Sequence, residues 1–176
     1  MEGKWRVQAS RKIYEGRILT LRLDEVLLPT GKPALREIVE HLPAVAMLPV
    51  GPDGTVFLIR QFRDAIGQEI LEIPAGLLKP GENPFEAARR ELQEEIGYDA
   101  RELEEWGTFF TSPGFSDEKV TLFFASSLVA SRLDPDDDEF IHVVPVRKDE
   151  IHELLESGHL QDAKTIAALA WYLAKQ

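Results

Sequence analysis

The sequence predicts an α/β fold in which a mixed sheet lies between helical layers, preceded by a small antiparallel β-subdomain. The first forty residues contain short strand-like runs in which apolar and polar residues alternate. From Ala44 the strand-like runs are more apolar, as expected of a sheet that is covered on both faces. One helix-like segment follows these strands, and two more close the chain. We therefore expect a β-subdomain in residues 1–42 and the main domain in residues 43–176.

The N-terminal subdomain is predicted from two runs, "RILTLRLDEVLLP" and "LREIVEH", that flank a turn at Thr30-Gly31. Apolar and charged residues alternate along both runs, which is typical of half-buried strands joined in a hairpin. The pattern therefore favours antiparallel pairing within residues 1–42.

The main domain begins with three strand-like runs, "AVAMLPV", "TVFLIRQF" and "EILEIPAG", and a Pro-Asp-Gly turn at 52–54 separates the first two. After the first helix come three more strand candidates, "WGTFFTS", "KVTLFFASSLV" and "FIHVVPV". The closing helices are predicted over 148–157 and 162–175. The last helix has apolar residues at Ile166, Leu169, Ala170 and Leu173.

Composition excludes several classes of site and partner. The chain has 176 residues, of which 44% are hydrophobic, enough for one compact core. Cysteine is absent, which excludes disulfides, thiolate zinc sites and cysteine nucleophiles. A net charge of -11 disfavours nucleic-acid binding. No apolar run approaches the roughly 18 residues of a membrane span, and the first ten residues lack the apolar core of a secretory signal. We expect a soluble, cytoplasmic protein without membrane partners.

The stretch "GLLKPGENPFEAARRELQEEIGY", residues 76–98, predicts a helix with defined ends. Asn83 can cap the N-terminus, Pro84 suits the first helical position, and Glu86 follows three residues after the cap. Gly97 stands where the helix is expected to end. The helix should run over 84–96. Its apolar stripe, which we expect to be buried, consists of Phe85, Ala88, Leu92 and Ile96.

Three glutamates border this stripe. Glu91 and Glu95 lie about 40° apart on the helical wheel, and Glu94 lies slightly further round. Carboxylates at this spacing repel one another unless positive charge lies between them. Oxygen ligands without His or Cys match Mg²⁺ or Mn²⁺. The alternative is an acidic helix face that is simply solvated.

The stretch resembles the signature of the Nudix hydrolases: Gly, five residues, Glu, seven residues, Arg-Glu, an apolar residue, any residue, Glu-Glu, any residue, Gly and an apolar residue. Every fixed place is filled, a specific match over 23 residues. The matching residues are Gly76, Glu82, Arg90, Glu91, Leu92, Glu94, Glu95, Gly97 and Tyr98. The resemblance implies the Nudix α/β/α sandwich and Mg²⁺-assisted hydrolysis of a nucleoside diphosphate linked to another group.

The resemblance also implies roles for individual residues. Glu91, Glu94 and Glu95 correspond to metal ligands, to which the main-chain carbonyl of Ala75 is added, and several carboxylates can hold more than one Mg²⁺. For Glu82 and Arg90 we favour a structural role, an ion pair that tethers the loop to the helix and orients these ligands, and through that orientation Arg90 is counted with the catalytic residues.

Other segments are similar to those of ADP-ribose pyrophosphatases: "SPGFSDE" (112–118), "IRQFR" (59–63), "LEIPAG" (71–76) and "EIVEH" (37–41). The similarity implies that ADP-ribose is cut between its phosphates into AMP and ribose 5-phosphate. It also implies a homodimer formed through the N-terminal subdomain. The expected substrate contacts are Arg63 for phosphate, with Arg60, Gln61, Glu37, Pro113 and Gly114.

Three glutamates are candidates for the general base that deprotonates the attacking water. Glu94 is a weak candidate if it coordinates metal, and Glu118 could equally bind substrate or a cation. Glu139, in "DPDDDEFIHVV", resembles the place where ADP-ribose pyrophosphatases carry a catalytic glutamate, so we favour it. The alternative for this acidic run is a solvated loop.

Two other functions stay open at this point. The enzyme could act on another nucleotide sugar or on a dinucleotide, because the signature is shared by enzymes with different substrates. A Nudix domain that senses a nucleotide without turnover is the other class, but such domains typically lack signature glutamates that this chain retains.

Overall fold

The computed structural model describes residues 5–134 and 140–175. The chain divides into two compact units, Met1–Pro43 with Phe109–Lys119, and Ala44–Thr108 with Val120–Gln176. The sequence-based boundary after residue 42 lies one residue before the end of the first segment. The division also assigns 109–119, which contains the whole "SPGFSDE" segment, to the first unit.

The first unit contains a three-stranded antiparallel sheet in the order β1-β2-β3. Its strands are β1 (Arg6–Glu15), β2 (Leu19–Leu27) and β3 (Pro33–His41). The predicted turn is present, with Gly31 in the left-handed region at a φ of 81°. The antiparallel N-terminal sheet is confirmed, although β1 was not predicted. All ten residues of β1 are exposed.

The remaining elements follow in chain order. The strands are β4 (Ala44–Pro49), β5 (Val56–Arg63), β6 (Gln68–Glu72), β7 (Ala75–Leu77), β8 (Tyr98–Phe110), β9 (Lys119–Ala130) and β10 (Ile141–Val146). The helices are α1 (Pro84–Glu95), α2 (Ile151–Glu156), which follows a short 3-10 turn at Lys148–Glu150, and α3 (Ala163–Ala174).

Two sheets form the framework of the second unit. One is mixed and has the order β7-β4-β9-β8, in which β4 runs antiparallel to β7 and parallel to β9. The other is antiparallel, in the order β10-β5-β6. Every residue of β4 is buried, as its continuous apolar sequence predicts. The predicted mixed sheet is therefore confirmed.

Helices α1 and α3 cover opposite faces of the mixed sheet. Val45 and Met47 of β4 belong to one buried cluster with Ala88 and Leu92 of α1. Because side chains alternate along a strand, the intervening positions point to the other face. There Phe124 of β9 stacks on Trp106 with ring centroids 5.1 Å apart, and it lies 6.1 Å from the ring of Tyr172 in α3. This arrangement is the predicted α/β/α sandwich.

Two predicted helix faces are shifted in the structure. Phe85 is 42% exposed, whereas Ala87, Glu91 and Glu95 are buried beside Ala88 and Leu92. The buried face of α1 therefore includes the carboxylates of Glu91 and Glu95, and Phe85 lies at its margin.

The buried face of α3 also differs from the apolar stripe expected from the sequence. Ile166 and Ala170 are exposed, and Leu169 and Tyr172 are buried together with Thr165. Thr165 takes a core position because its hydroxyl accepts a hydrogen bond from the main-chain nitrogen of Ile73 at 2.7 Å. Across the described residues, none of the helices combines the length and apolar character needed to cross a membrane.

Candidate active site

The helix that carries the acidic signature begins and ends close to the predicted residues. Asn83 caps it, because its side-chain oxygen accepts a hydrogen bond from the main-chain nitrogen of Phe85 at 2.9 Å. Pro84 is the first helical residue, and Ile96 is the C-terminal cap. Gly97 follows with a φ of 74°, a conformation that glycine adopts without strain.

Arg90 lies at the centre of the acidic cluster. Its Nε donates to Glu82 Oε1 at 2.9 Å, and its Nη1 donates to Glu91 Oε1 at 2.6 Å and to Glu94 Oε2 at 2.8 Å. Its Nη2 donates to Glu82 Oε2 at 3.1 Å and to the carbonyl of Leu77 at 3.2 Å. These five bonds equal the number of N–H groups that a guanidinium has. The predicted Glu82–Arg90 ion pair is therefore present as part of a larger network.

The hydrogen bonds between Arg90 and Glu82 favour the charged forms of both side chains. Hydrogen bonding to Glu82, with the nearby charge of Glu91, raises the pKa of Arg90 above its ordinary value, against the opposing effect of burial. The same hydrogen bonds from Arg90 lower the pKa of Glu82 below its ordinary value. Arg90 is therefore a cation and Glu82 a carboxylate at neutral pH.

The carboxylates of Glu91 and Glu95 lie against the backbone of strand β7. Glu95 Oε2 accepts a hydrogen bond from the main-chain nitrogen of Ala75 at 2.9 Å. Glu91 packs onto Gly76 so closely that a Cβ there would lie 2.0 Å from the carboxylate carbon. Both glutamates are only 6% exposed. The glycine of the signature is therefore required to make room for Glu91.

The donors at this site fit a hard divalent cation in their chemistry. They are the carboxylate oxygens of Glu91, Glu94 and Glu95, with main-chain carbonyls of β7 nearby, and buried carboxylates require positive charge close to them. Within 5–134 and 140–175, no three acidic or histidine side chains converge closely enough to form a metal-binding group. The cation that Glu91 and Glu94 contact in this structure is Arg90.

Arg63, the predicted phosphate contact, lies at the end of β5 and is bound to Glu72. Its Nε donates to Glu72 Oε1 at 2.6 Å and its Nη2 to Glu72 Oε2 at 2.8 Å. The hydrogen-bonded carboxylate raises the pKa of Arg63 against the effect of burial, and the charges of Glu95 and Asp162 add to this rise. Arg63 therefore lies within the electrostatic reach of Glu95. In the same strand Arg60 is exposed and Gln61 is half-buried.

Sequence reasoning missed the partners of Arg63. Glu72 is 1% exposed and is also bound by Lys164, whose Nζ lies 3.1 Å from Asp162 Oδ2. The available signal was Glu72 itself, a charged residue within the apolar run "EILEIPAG". Such a buried carboxylate requires cationic partners. Which cations those are depends on contacts that are distant along the chain.

In the first unit, the "SPGFSDE" segment is attached to β3. The nitrogen of Val39 donates to the carbonyl of Phe115 at 2.8 Å, and the nitrogen of Asp117 donates to the carbonyl of Val39 at 3.2 Å. The nitrogen of His41 donates to Asp117 Oδ1 at 2.9 Å. Glu37 is exposed in this strand. Backbone and side-chain bonds thus hold this segment along β3.

Glu118, the last residue of this segment, has two side-chain partners in the same unit. Its Oε2 accepts a hydrogen bond from the hydroxyl of Thr111, and its Oε1 lies 3.4 Å from His41 Nδ1. Pro113 and Gly114 are exposed. Glu139, the other candidate base outside the acidic helix, lies outside the described residues.

The model of the NUDIX domain family matches residues 21–169. The chain belongs to the Nudix family. This Nudix protein is 41% identical over 170 residues to an ADP-ribose pyrophosphatase of Bacillus subtilis (strain 168), covering 96% of this chain and 92% of the relative. It is 36% identical over 164 residues to a methanol dehydrogenase activator of Bacillus methanolicus, covering 92% and 89% of the two chains.

A solved structure gives the same fold for this Nudix chain. The crystal structure of an ADP compounds hydrolase superposes with a TM-score of 0.88 at 24% identity. The match covers 99% of this chain and 97% of the other. The Nudix fold expected from the sequence is thereby confirmed.

Replacing Gly76 by alanine tests the close packing of Glu91. We expect Gly76→Ala to lower the free energy of unfolding by about 1–3 kcal/mol, because the new methyl group displaces a buried carboxylate. Chemical denaturation measures this loss. Gly51→Ala is the control, since its Cβ would come no closer than 3.1 Å to Asp53 Oδ1 and would make ordinary contacts with Phe57 and Thr55. Equal stabilities of the two variants would contradict the packing argument.

Proposed function

We propose that this Nudix protein hydrolyses the diphosphate of ADP-ribose to AMP and ribose 5-phosphate with the help of Mg²⁺. The observation that carries the proposal is the complete acidic network around Arg90, with Glu91 and Glu95 buried against β7. A solvated acidic face would leave these carboxylates exposed. The substrate is supported by the name of the Bacillus subtilis relative and by the "SPGFSDE", "IRQFR" and "LEIPAG" segments.

We propose that Glu91, Glu94, Glu95 and the carbonyl of Ala75 hold Mg²⁺, with Mn²⁺ as a possible substitute and room for more than one ion. A bound cation neutralises the phosphate oxygens and makes the attacking water more acidic. Binding it requires Glu91 and Glu94 to give up part of their contact with Arg90. Arg90 then orients these carboxylates while it remains tied to Glu82 and the carbonyl of Leu77.

In this proposal, the guanidinium of Arg63 binds the diphosphate of the substrate. Glu72 occupies two of its five N–H donors, which leaves three, and its side chain is 40% exposed. A guanidinium held in this way presents a fixed edge to an anionic ligand. The other proposed substrate contacts are Arg60, Gln61, Glu37, Pro113 and Gly114.

The substrate is tested by assaying purified protein with Mg²⁺ against ADP-ribose, ADP-sugars, NADH, diadenosine polyphosphates and nucleoside triphosphates. We expect the highest kcat/KM with ADP-ribose. Glu91→Gln and Glu95→Gln should each lower kcat/KM by about 100-fold or more, because a lost ligand charge weakens cation binding.

Each other outcome of this assay has a defined meaning. If another nucleotide sugar or a dinucleotide gives the highest kcat/KM, that compound and not ADP-ribose is the preferred substrate. Tight ADP-ribose binding without turnover would instead support the sensing alternative. Near-normal rates of both glutamine variants at limiting Mg²⁺ would contradict the proposed ligands.

We propose Glu139 as the general base, and the comparison with Glu118 tests this assignment. Glu139→Gln should lower kcat by about 100-fold with little change in KM, the pattern of a lost base with intact ground-state binding. Glu118→Gln should change KM or the Mg²⁺ dependence at least as much as kcat. Should Glu139→Gln keep the wild-type kcat while Glu118→Gln or Glu94→Gln loses it with metal binding intact, the role of base passes to that residue.

We also propose that the protein forms a homodimer through the first unit. Its sheet exposes several large apolar side chains, and exposed apolar surface of this kind is typical of protein interfaces. The most exposed are Trp5, Val7, Tyr14 and Leu35, each at 57% or more. Strand β1 is exposed along its whole length.

Analytical ultracentrifugation over a range of protein concentrations tests the dimer. We expect wild type to sediment as a dimer. The Val7→Glu dimer should dissociate at a higher protein concentration than the wild-type dimer, because a charge replaces an apolar contact. Gln8→Glu is the matched control in the same strand, since it adds the same charge at a residue that is already polar. A monomeric wild type would rule the dimer out.

A further inference from the structure

Glu72 is a buried carboxylate held by two cations from different parts of the chain. Arg63 of β5 binds it through two hydrogen bonds, and Lys164 of α3 binds the same Oε2 that accepts from Arg63 Nη2. Burial by itself would raise the pKa of Glu72, but the bonds from Arg63 and the charge of Lys164 outweigh it and lower the pKa. The carboxylate is therefore charged and has a fixed orientation.

The first turn of α3 fixes Lys164 in turn. Asp162 caps this helix, because its Oδ2 accepts from the nitrogen of Thr165 at 2.9 Å, and the same oxygen lies 3.1 Å from Lys164 Nζ. Thr165 also binds the nitrogen of Ile73, the residue after Glu72. One helical turn thus contacts both the side chain of Glu72 and the backbone that follows it.

The sharing of Glu72 matters for Arg63. The two bonds between Arg63 and Glu72 fix the two groups relative to each other, but the broad terminal torsion of Glu72 would still let the pair turn together. Lys164 removes this freedom by occupying a second direction at Oε2. Two of the N–H donors of Arg63 that Glu72 does not use, one on each Nη, then share the outer edge of the guanidinium and point in one direction.

We propose that Lys164 is a positioning residue: it fixes the carboxylate of Glu72 and, through it, the guanidinium of Arg63 where the substrate's diphosphate binds. The inference rests on the proposed function in that it takes Arg63 as the phosphate contact. Lys164 itself does not touch the substrate in this arrangement. Lys164 should therefore affect only the affinity for the diphosphate group of the substrate.

Isothermal titration calorimetry with α,β-methylene ADP, a diphosphate that is not hydrolysed, tests the inference in the presence of Mg²⁺. We expect Lys164→Met to weaken binding about tenfold, the amount associated with one charge-assisted hydrogen bond. Lys164→Arg should restore most of the affinity. The affinity for adenosine, which has no phosphate, should not change in either variant.

Two further variants separate positioning from general stabilisation. Leu169→Ala removes a buried side chain one turn further along α3 and should lower stability without changing the affinity for α,β-methylene ADP. Arg63→Gln should weaken this affinity, and adding Lys164→Met should weaken it no further, since both act through one guanidinium. Additive losses, unchanged affinity of Lys164→Met, or a wild type that does not bind α,β-methylene ADP would each overturn the inference.

The result is independent of the turnover assay. The binding of α,β-methylene ADP could depend on Lys164 while the wild type does not hydrolyse ADP-ribose. That result would contradict the proposed reaction and leave the positioning role supported. If the protein hydrolyses ADP-ribose but Lys164→Met does not change the affinity for α,β-methylene ADP, the proposed reaction is supported and the positioning role is contradicted.

Discussion

The arrangement of the acidic helix depends on one guanidinium. Glutamates at three- and four-residue spacing on α1 repel one another, and burial beside β7 makes that repulsion stronger because the local dielectric falls. Arg90 offsets it by donating to Glu82, Glu91 and Glu94 and to the carbonyl of Leu77. The loop before α1, the helix itself and strand β7 are therefore joined at a single side chain.

Arg90 and Arg63 each neutralise buried carboxylates, but they differ in how many N–H donors that task uses. Arg90 uses all its donors within the protein, so its effect on a ligand passes through the carboxylates that it orients. Among the described residues, Arg63 donates to one carboxylate, Glu72, through two of its five N–H groups, and Lys164 supplies a second positive charge to Glu72. In the proposed function, this difference is why the direct anion contact is assigned to Arg63 and not to Arg90.

What the sequence predicts well is local or repeated in a recognisable pattern. The limits of α1 follow from Asn83 and Gly97, whose effects act within a few residues, and the signature predicts the family and its fold. Strand β1 and the first half of β8 were missed, because exposed edge strands rich in charge lack the apolar alternation that marks a strand. The Glu72 cluster joins residues 92 positions apart, and no local pattern encodes such a pairing.

The parallel pairing of β4 with β9 has a consequence for how the chain folds. Ala44 lies opposite Val120, so the centre of the mixed sheet joins segments that are 76 residues apart (120 - 44). Closing so long a loop costs chain entropy before any buried contact compensates for it. The hairpins of β1, β2 and β3 need only short closures. The apolar strand β4 must therefore remain without its parallel neighbour until most of the chain has been synthesised, and during that interval it is open to mispairing with other strands.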